Sequence, residues 1–296
     1  MHTYLDCIPC FVRQALAAAR AATPDPAIQR HAVNAVAYRI PDLPLTVCPP
    51  EIAQKIYRIV GEVTGDHDPY HDEKARINTA VLSRQDYLED LIEQSANPLK
   101  MACQLAIAGN TIDLGPSDQL DTVDSVIKEG IGYRIGREAF GAFEAGVRKA
   151  SRIVYLADNA GEIVFDRLVI EQIMTCSRAE IVLVVKEKPV INDATLSDAR
   201  AAGLTRLVTV ISNGTDAPGT LLPQCSEFMR ARYHAADLII AKGQANFESL
   251  NTRTENVFFL LKVKCPVIAR SSGRAVGEPV LCSRRRSPFR AAAAGR

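Results

Sequence analysis

The sequence predicts an α/β protein in two parts, a helical first half and a doubly wound, mostly parallel sheet in the second. Three observations carry that expectation. Up to about residue 150, apolar residues recur at three- and four-residue spacing, and no convincing strand interrupts them. From residue 151, short continuous β-branched runs alternate with helical segments, the pattern of parallel strands covered on both faces. The chain has 296 residues, 47% hydrophobic and 23% charged, which is enough to bury one large or two medium cores.

In the first half, residues 11–22 are rich in alanine and leucine, and 27–38 continue that style after the Thr23-Pro24-Asp25-Pro26 break. Residues 51–63 place Ile52, Ile56, Ile59, Val60 and Val63 on one helical face. Residues 72–94 read as one long amphipathic stretch, followed by helices over 97–108, 118–129 and 137–150. In the second half, strands are expected over 152–157, 181–185, 208–211, 238–241 and 257–261, with Val267-Ile268-Ala269 the candidate for a sixth. The boundaries that follow are a helical domain over 1–150, an α/β domain over 151–283 and a tail over 284–296. The tail holds Arg284-Arg285-Arg286 and ends in Ala-Ala-Ala-Ala-Gly-Arg, a composition that reads as solvated and disordered.

Composition excludes several classes. Lysine plus arginine number 35 against 34 aspartate plus glutamate, so the formal net charge is +1. A nucleic-acid or membrane-surface protein would show a clear basic excess. The longest apolar runs fall far short of the roughly 20 residues that span a bilayer. The opening Met-His-Thr-Tyr-Leu-Asp lacks a basic region leading into an apolar one, so a cytoplasmic protein is expected. Eight cysteines are too few for a disulfide scaffold of this length. Only Cys7 and Cys10 form a close pair, open to three readings: structural thiols, a metal or cluster site completed by distant residues, or a redox couple.

In doubly wound sheets, ligands bind at the carboxyl ends of the strands. After the first strand comes Asp158-Asn159-Ala160-Gly161-Glu162, two oxygen-bearing side chains and then a glycine at a helix start. Carboxylate and amide oxygens suit hard divalent cations, and the helix start offers N–H groups to an anion; simple capping is the plainer alternative. After the second strand, Asn192-Asp193 opens another helix, where Asp193 could join the same ion or merely cap. After the third, Ser212-Asn213-Gly214 starts a loop that could cradle a phosphate or form an ordinary turn. After the fourth, Lys242-Gly243 puts an ammonium directly behind a buried strand, which calls for an anionic partner.

Other signals carry less. The 130–136 run Gly-Ile-Gly-Tyr-Arg-Ile-Gly follows a helical segment and has the wrong spacing for a dinucleotide fingerprint. His67 and His71 are four apart, but Pro69 interrupts the helical face between them. The serine-hydrolase elbow is missing.

The ordered set of segments resembles the damage-control phosphatase family, first catalogued as domain of unknown function 89. The segments are Cys7-x-x-Cys10, Ala108-Gly109-Asn110-Thr111-Ile112-Asp113, Asp158 to Glu162, Lys188 to Thr195, Ser212-Asn213-Gly214 with Pro218-Gly219-Thr220, Lys242 to Glu248, and Phe258 to Pro266. They extend over about residues 4–280, and the cysteine pair resembles the mainly prokaryotic subgroup. The resemblance implies a helical N-terminal domain packed on a doubly wound, mostly parallel sheet domain. It implies a metal-dependent phosphatase acting on small phosphorylated metabolites, such as sugar phosphates or damaged phosphometabolites. It implies a divalent ion (Mn, Ni, Co or Mg) on Asp158, Asn159 and Asp193, with Lys242 on the phosphate. Gly161, Glu162, Asn192, Ser212, Asn213 and Gly214 are expected around the substrate, with Asn110 and Asp113 reaching in from the connection between the halves. The nucleophile is a metal-activated water or an aspartate carboxylate, and the water is favoured because Asp158 is committed to the metal. No nucleic-acid or membrane partner is expected, and the oligomeric state is left open. Two other classes compete: an enzyme using a nucleotide cofactor on the sheet domain, and a non-catalytic metal- or phosphometabolite-binding protein.

Overall fold

The computed structural model describes residues 1–111, 119–253 and 256–283. Asp113 and the arginine-rich tail of 284–296 lie outside them. Eight helices come first: α1 (Cys7–Ala22), α2 (Pro26–Arg39), α3 (Pro49–Thr64), α4 (His71–Leu82), α5 (Gln85–Glu93), α6 (Pro98–Gly109), α7 (Gln119–Gly132) and α8 (Arg137–Lys149). Several starts are written locally. Proline stands at the first or second position of α2, α3 and α6, where its missing N–H costs nothing. The Asp25 carboxylate accepts from Ala27 N–H at 2.8 Å, and Asn97 Oδ1 accepts from Lys100 N–H at 3.0 Å.

The long stretch expected over 72–94 is two helices. The Ser83 hydroxyl donates back to the Ala80 carbonyl at 2.7 Å. Arg84 turns away to a two-pronged contact with Asp124, at 2.7 and 2.8 Å, and α5 starts in a new direction.

The sheet then forms from β1 (Arg152–Leu156), β2 (Glu180–Val185), β3 (Thr209–Ser212), β4 (Leu238–Lys242), β5 (Val257–Lys262) and β6 (Pro279–Ser283), in the order β3-β2-β1-β4-β5-β6. The first five run parallel and β6 is antiparallel to β5. Helices α9 (Glu162–Cys176), α10 (Leu196–Ala201), α11 (Glu227–Ala235), α12 (Gly243–Leu250) and α13 (Pro266–Ser272) connect them. The segment 267–269 is therefore helix, correcting the strand expected there. Pro266 opens it after the extended Cys265, and Val267 and Ile268 bury as part of a helical face.

Alternate side chains of each strand feed opposite faces. Ile153, Tyr155, Leu183, Ile240 and Leu260 join α6–α9 in one core. Val154, Leu156, Val184, Ile239, Phe259 and Leu261 meet α11, α12 and α13 in the other. A third cluster unites α1, α2 and α3 through Phe11, Ala15, Val36, Ile52 and Ile56, and α3 rests on α12. Among the described residues, no helix is long and apolar enough to cross a membrane. The winding direction reverses between β1 and β4, which opens a crevice at their carboxyl ends.

Candidate active site at the switch point

Backbone pairing fixes the two turns that carry the expected ligands. Ala160 N–H donates to Asn192 O, and Ala194 N–H donates to Asp158 O, each at 2.8 Å. A single antiparallel bridge thereby pairs Asn159 with Asp193. Two turns separated by 34 residues become one unit, with Asp158, Asn159 and Asp193 brought together.

Asp158 lies against the start of α12. Gly243 has φ +77°, and a Cβ there would sit 1.8 Å from Asp158 Oδ2, so only glycine leaves room for the carboxylate. Oδ2 accepts from Asn110 Nδ2 at 3.0 Å and from Asn159 Nδ2 at 2.8 Å. The same two amides donate to Glu162 Oε2, at 2.9 and 3.1 Å. Burial, then the Glu162 and Asp193 charges, push the Asp158 carboxyl well above the usual carboxylate range. Burial also raises Asp193 to about 6, against the pull of Lys186 and with a further push from Glu162. Asp193 Oδ2 lies 3.4 Å from Lys186 Nζ, but it is buried and receives no well-aligned hydrogen bond.

Lys242 is placed differently from the expectation. Its ammonium is fully buried and donates to Glu162 Oε1 at 2.7 Å, Asp166 Oδ1 at 2.5 Å and Ala106 O at 3.1 Å. All three protons are used, so Lys242 neutralises carboxylates and has none to spare for a phosphate. Burial alone would lower its pKa, but Asp166 and Glu162 outweigh burial and hold the charge on. Asp166 itself is raised to about 6 by burial, and Tyr155 donates to it at 2.7 Å.

The expected anion cradles are also occupied by the fold. Gly161 N–H donates to Asn78 Oδ1 at 2.6 Å. The Ser212 hydroxyl is bonded to Glu187. Asn213 Oδ1 accepts from Thr215 N–H at 2.9 Å, and Ser226 packs where a Gly214 Cβ would go. Gly161, Ser212, Asn213 and Gly214 thus build turns in this structure. Asn192 contributes its carbonyl to the Ala160 contact.

Several residues at the site had no role in the sequence reading. Lys186 directly follows β2 and Lys242 ends β4, and a buried ammonium at either place calls for an anionic partner; that of Lys186 meets Asp193 and the Gly219 carbonyl. Asn246 ties the Ala157 and Lys242 carbonyls to Thr220, holding the β1 and β4 ends in register. Asn78 and Lys74 come from α4, where a polar pair four residues apart has the look of an ordinary solvated face.

Beside this centre lies a cavity of about 400 Å³. Gln54, Tyr57 and Arg58 of α3, His67 and Tyr70 of the following loop, and Lys188 to Ile191 line it. Ile191 is the one described non-glycine residue with positive φ, at 47°, an unfavourable conformation for a β-branched side chain two residues before Asp193. Arg58 and Gln54 both reach Asp216, clamping α3 onto the sheet half at 2.6–2.7 Å. Among the described residues, no three His, Cys, Asp or Glu side chains converge closely enough to hold a metal by themselves. That includes Cys7 and Cys10, which are free thiols.

Comparison with known proteins agrees with this architecture. The chain is 36% identical over 278 residues to a damage-control phosphatase of Pyrococcus horikoshii, covering 91% of this chain and 94% of the relative. It is 34% identical over 239 residues to a damage-control phosphatase of Archaeoglobus fulgidus, covering 77% and 80%. A crystal structure of a domain of unknown function 89 family protein from Pyrococcus horikoshii superposes with a TM-score of 0.88 at 32% identity, over 96% of this chain and 99% of that one. The model of the damage-control phosphatase ARMT1-like domain matches residues 3–280. The chain belongs to the damage-control phosphatase ARMT1-like domain family.

Proposed function

We propose that the chain is a metal-dependent phosphatase of small phosphorylated metabolites, working at the crevice between β1 and β4. One observation carries the reading: the charges buried there do not balance. Asp158, Glu162, Asp166 and Asp193 are four buried carboxylates, and Lys186 and Lys242 are the two ammoniums paired with them. Fully ionised, the cluster is short of two positive charges. Either protons fill that deficit, as the raised Asp158, Asp166 and Asp193 carboxyls indicate, or one divalent cation does. The donor set fits such an ion. Asp193 Oδ2 is buried with the Lys186 ammonium 3.4 Å away and no well-aligned hydrogen bond, and Asn159 spends its amide N–H groups on Asp158 and Glu162, leaving Oδ1 as the available donor atom.

Asp158, Asn159 and Asp193 would hold the ion, with Mn, Ni, Co or Mg all suited to oxygen donors. When bound, it supplies Lewis-acid polarisation of a phosphoryl oxygen and a water of lowered pKa. The remaining residues orient and insulate. Lys242 fixes Glu162, and Glu162 with Asp158 fixes the Asn110 and Asn159 amides. The cavity under α3 takes the organic part of the ester. The names of the Pyrococcus and Archaeoglobus relatives support the same reading. A nucleotide-cofactor enzyme is disfavoured because the β1–α9 turn bonds its Gly161 N–H internally to Asn78.

The test is phosphate release from p-nitrophenyl phosphate with each of the four metals, with and without chelator. Turnover should require metal. Asp158→Ala should lower it about a thousandfold, the scale of several kcal/mol of lost charge stabilisation, while the thermal midpoint holds. Full activity in that variant, or turnover in chelator, would sink the proposal.

A further inference from the structure

We propose that Ile191 is the steric selector for the carbon next to the ester oxygen, a specificity determinant that rests on the phosphatase reading above. The loop after β2 is pinned at both ends. The Glu187 and Lys188 N–H groups donate to the Thr215 carbonyl at 3.2 and 3.4 Å, and the Asn192 carbonyl accepts from Ala160 N–H at 2.8 Å. Asp193 N–H donates to the Val190 carbonyl at 3.0 Å, which closes a tight turn over residues 190–193. Ile191 is the second residue of that turn, with φ +47°. Glycine, asparagine or aspartate is the usual occupant of such a position, and a β-branched side chain there is strained. Strain of this kind persists only where the surroundings impose it, and it gathers at ligand-binding sites.

Core packing does not account for the isoleucine. Ile191 is only half-buried, and it belongs to none of the three hydrophobic clusters formed by the described residues. Its place beside the cavity does. Lys188, Pro189, Val190 and Ile191 line the cavity in succession, and the lining from this loop ends at Ile191. Two residues on, Asp193 pairs with Asn159 in the acidic centre. Ile191 therefore stands at the neck, where the chain passes from the cavity wall to a proposed metal ligand. An ester whose phosphate meets the ion and whose organic group fills the cavity has its ester oxygen and first carbon at this neck. The backbone on either side is tied down, so the side chain has little room to retreat. An unbranched first carbon passes it, and a methyl branch on that carbon meets it. The substrate class that fits is the phosphate monoesters of primary alcohols.

The experiment compares wild type with Ile191→Val, Ile191→Ala and Ile191→Gly, each as the full chain with manganese. Release of inorganic phosphate gives kcat/KM for n-propyl phosphate and isopropyl phosphate. Calorimetry gives the affinities for manganese and for n-propylphosphonate and isopropylphosphonate, which cannot be hydrolysed. Wild type should favour the n-propyl ester by about 10-fold or more, the scale of one misplaced methyl group in a fitted pocket. Ile191→Val keeps the β-branch and should keep the preference. Ile191→Ala and Ile191→Gly should erase most of it by speeding the isopropyl ester, with manganese affinity unchanged. Glycine accepts the φ of +47° without strain, so that variant should fold even if Ile191→Ala does not. No preference in wild type, or the same preference in every variant, would overturn the inference and leave the phosphatase reading in place. So would an equal fall in turnover of both esters with weakened manganese binding, which would make Ile191 a former of the Asp193 turn. If wild type hydrolyses neither ester, the phosphatase reading falls and the phosphonate pair still decides. A preference for the unbranched phosphonate that Ile191→Ala removes supports the selector, and equal affinities overturn it.

Discussion

Lys186 and Lys242 stand on either side of β1, at the carboxyl ends of β2 and β4, and both are buried. Their surroundings differ. Lys242 holds two carboxylates and sits behind the centre, sealed by Ala106 and Tyr155's partner Asp166. Lys186 has one carboxylate, at 3.4 Å, and a carbonyl. The β4 side is a closed scaffold that keeps its charges paired whether or not a ligand is present. The β2 side is loosely paired, and its Asp193 keeps an oxygen in reserve. Scaffold and reactive edge are thus separated across a single strand, and Asp158 and Asn159 at the end of that strand belong to both.

The largest effect should break the scaffold. Lys242→Met leaves Glu162 and Asp166 buried together without a cation, a change that typically costs about 3–5 kcal/mol. Lys186→Met should cost less than half as much, because it leaves one buried carboxylate, Asp193, without its cation where Lys242→Met leaves two. Urea unfolding at pH 7 measures both. Equal losses would erase the distinction between the two sides.

A titration should sharpen it. Asp166 and Asp193 are both raised to about 6, above an unfolded value near 3.9. Between those values the folded protein keeps protons that the unfolded chain releases. Stability from these groups is therefore complete below pH about 4 and is lost as pH rises through about 6, by roughly 3 kcal/mol for each group. In chelator, the unfolding free energy of wild type relative to Asp193→Asn should fall across that window. Manganese should remove the Asp193 part of the slope and leave the Asp166 part, which lies behind Lys242. A metal-insensitive slope would place Asp193 in the scaffold instead.

How much of this the sequence carried depends on which element supplies a residue. The parallel strands were legible because both their faces are buried and they read as unbroken apolar runs. β6 was not, since an edge strand of Pro-Val-Leu-Cys-Ser has too short a run to stand out, and Val267-Ile268 mimicked it. Asp158, Asn159 and Asp193 were legible because polar residues directly after buried strands are conspicuous. The partner of Lys242 was not, because Asp166 lies one helical turn beyond Glu162 inside α9 and nothing local separates it from an exposed helix residue. Lys74 and Asn78 were silent for the same reason: only tertiary packing turns that face of α4 inward.

A single added methyl group on each side should give the sharpest contrast in function. Gly243 belongs to the Lys242 side, and Gly214 to the loop whose Thr215 carbonyl accepts from Glu187 N–H beside Lys186. Both have positive φ, 77° and 81°, so alanine at either should cost about 1–2 kcal/mol through the left-handed backbone, before any steric contact is added. The added methyl groups meet different neighbours. At Gly214 it would press on Ser226 at 2.9 Å, a turn contact that involves none of the four buried carboxylates. At Gly243 it would occupy the space of the Asp158 carboxylate. Gly214→Ala should therefore unfold slightly earlier in urea and keep its metal-dependent turnover. Gly243→Ala should unfold earlier still, because Asp158 must move aside, and should lose turnover nearly as completely as Asp158→Ala, with weakened manganese binding by calorimetry. Retained turnover in Gly243→Ala would mean that Asp158 works from another position, and the crevice between β1 and β4 would no longer be the place where the ion and the phosphate meet.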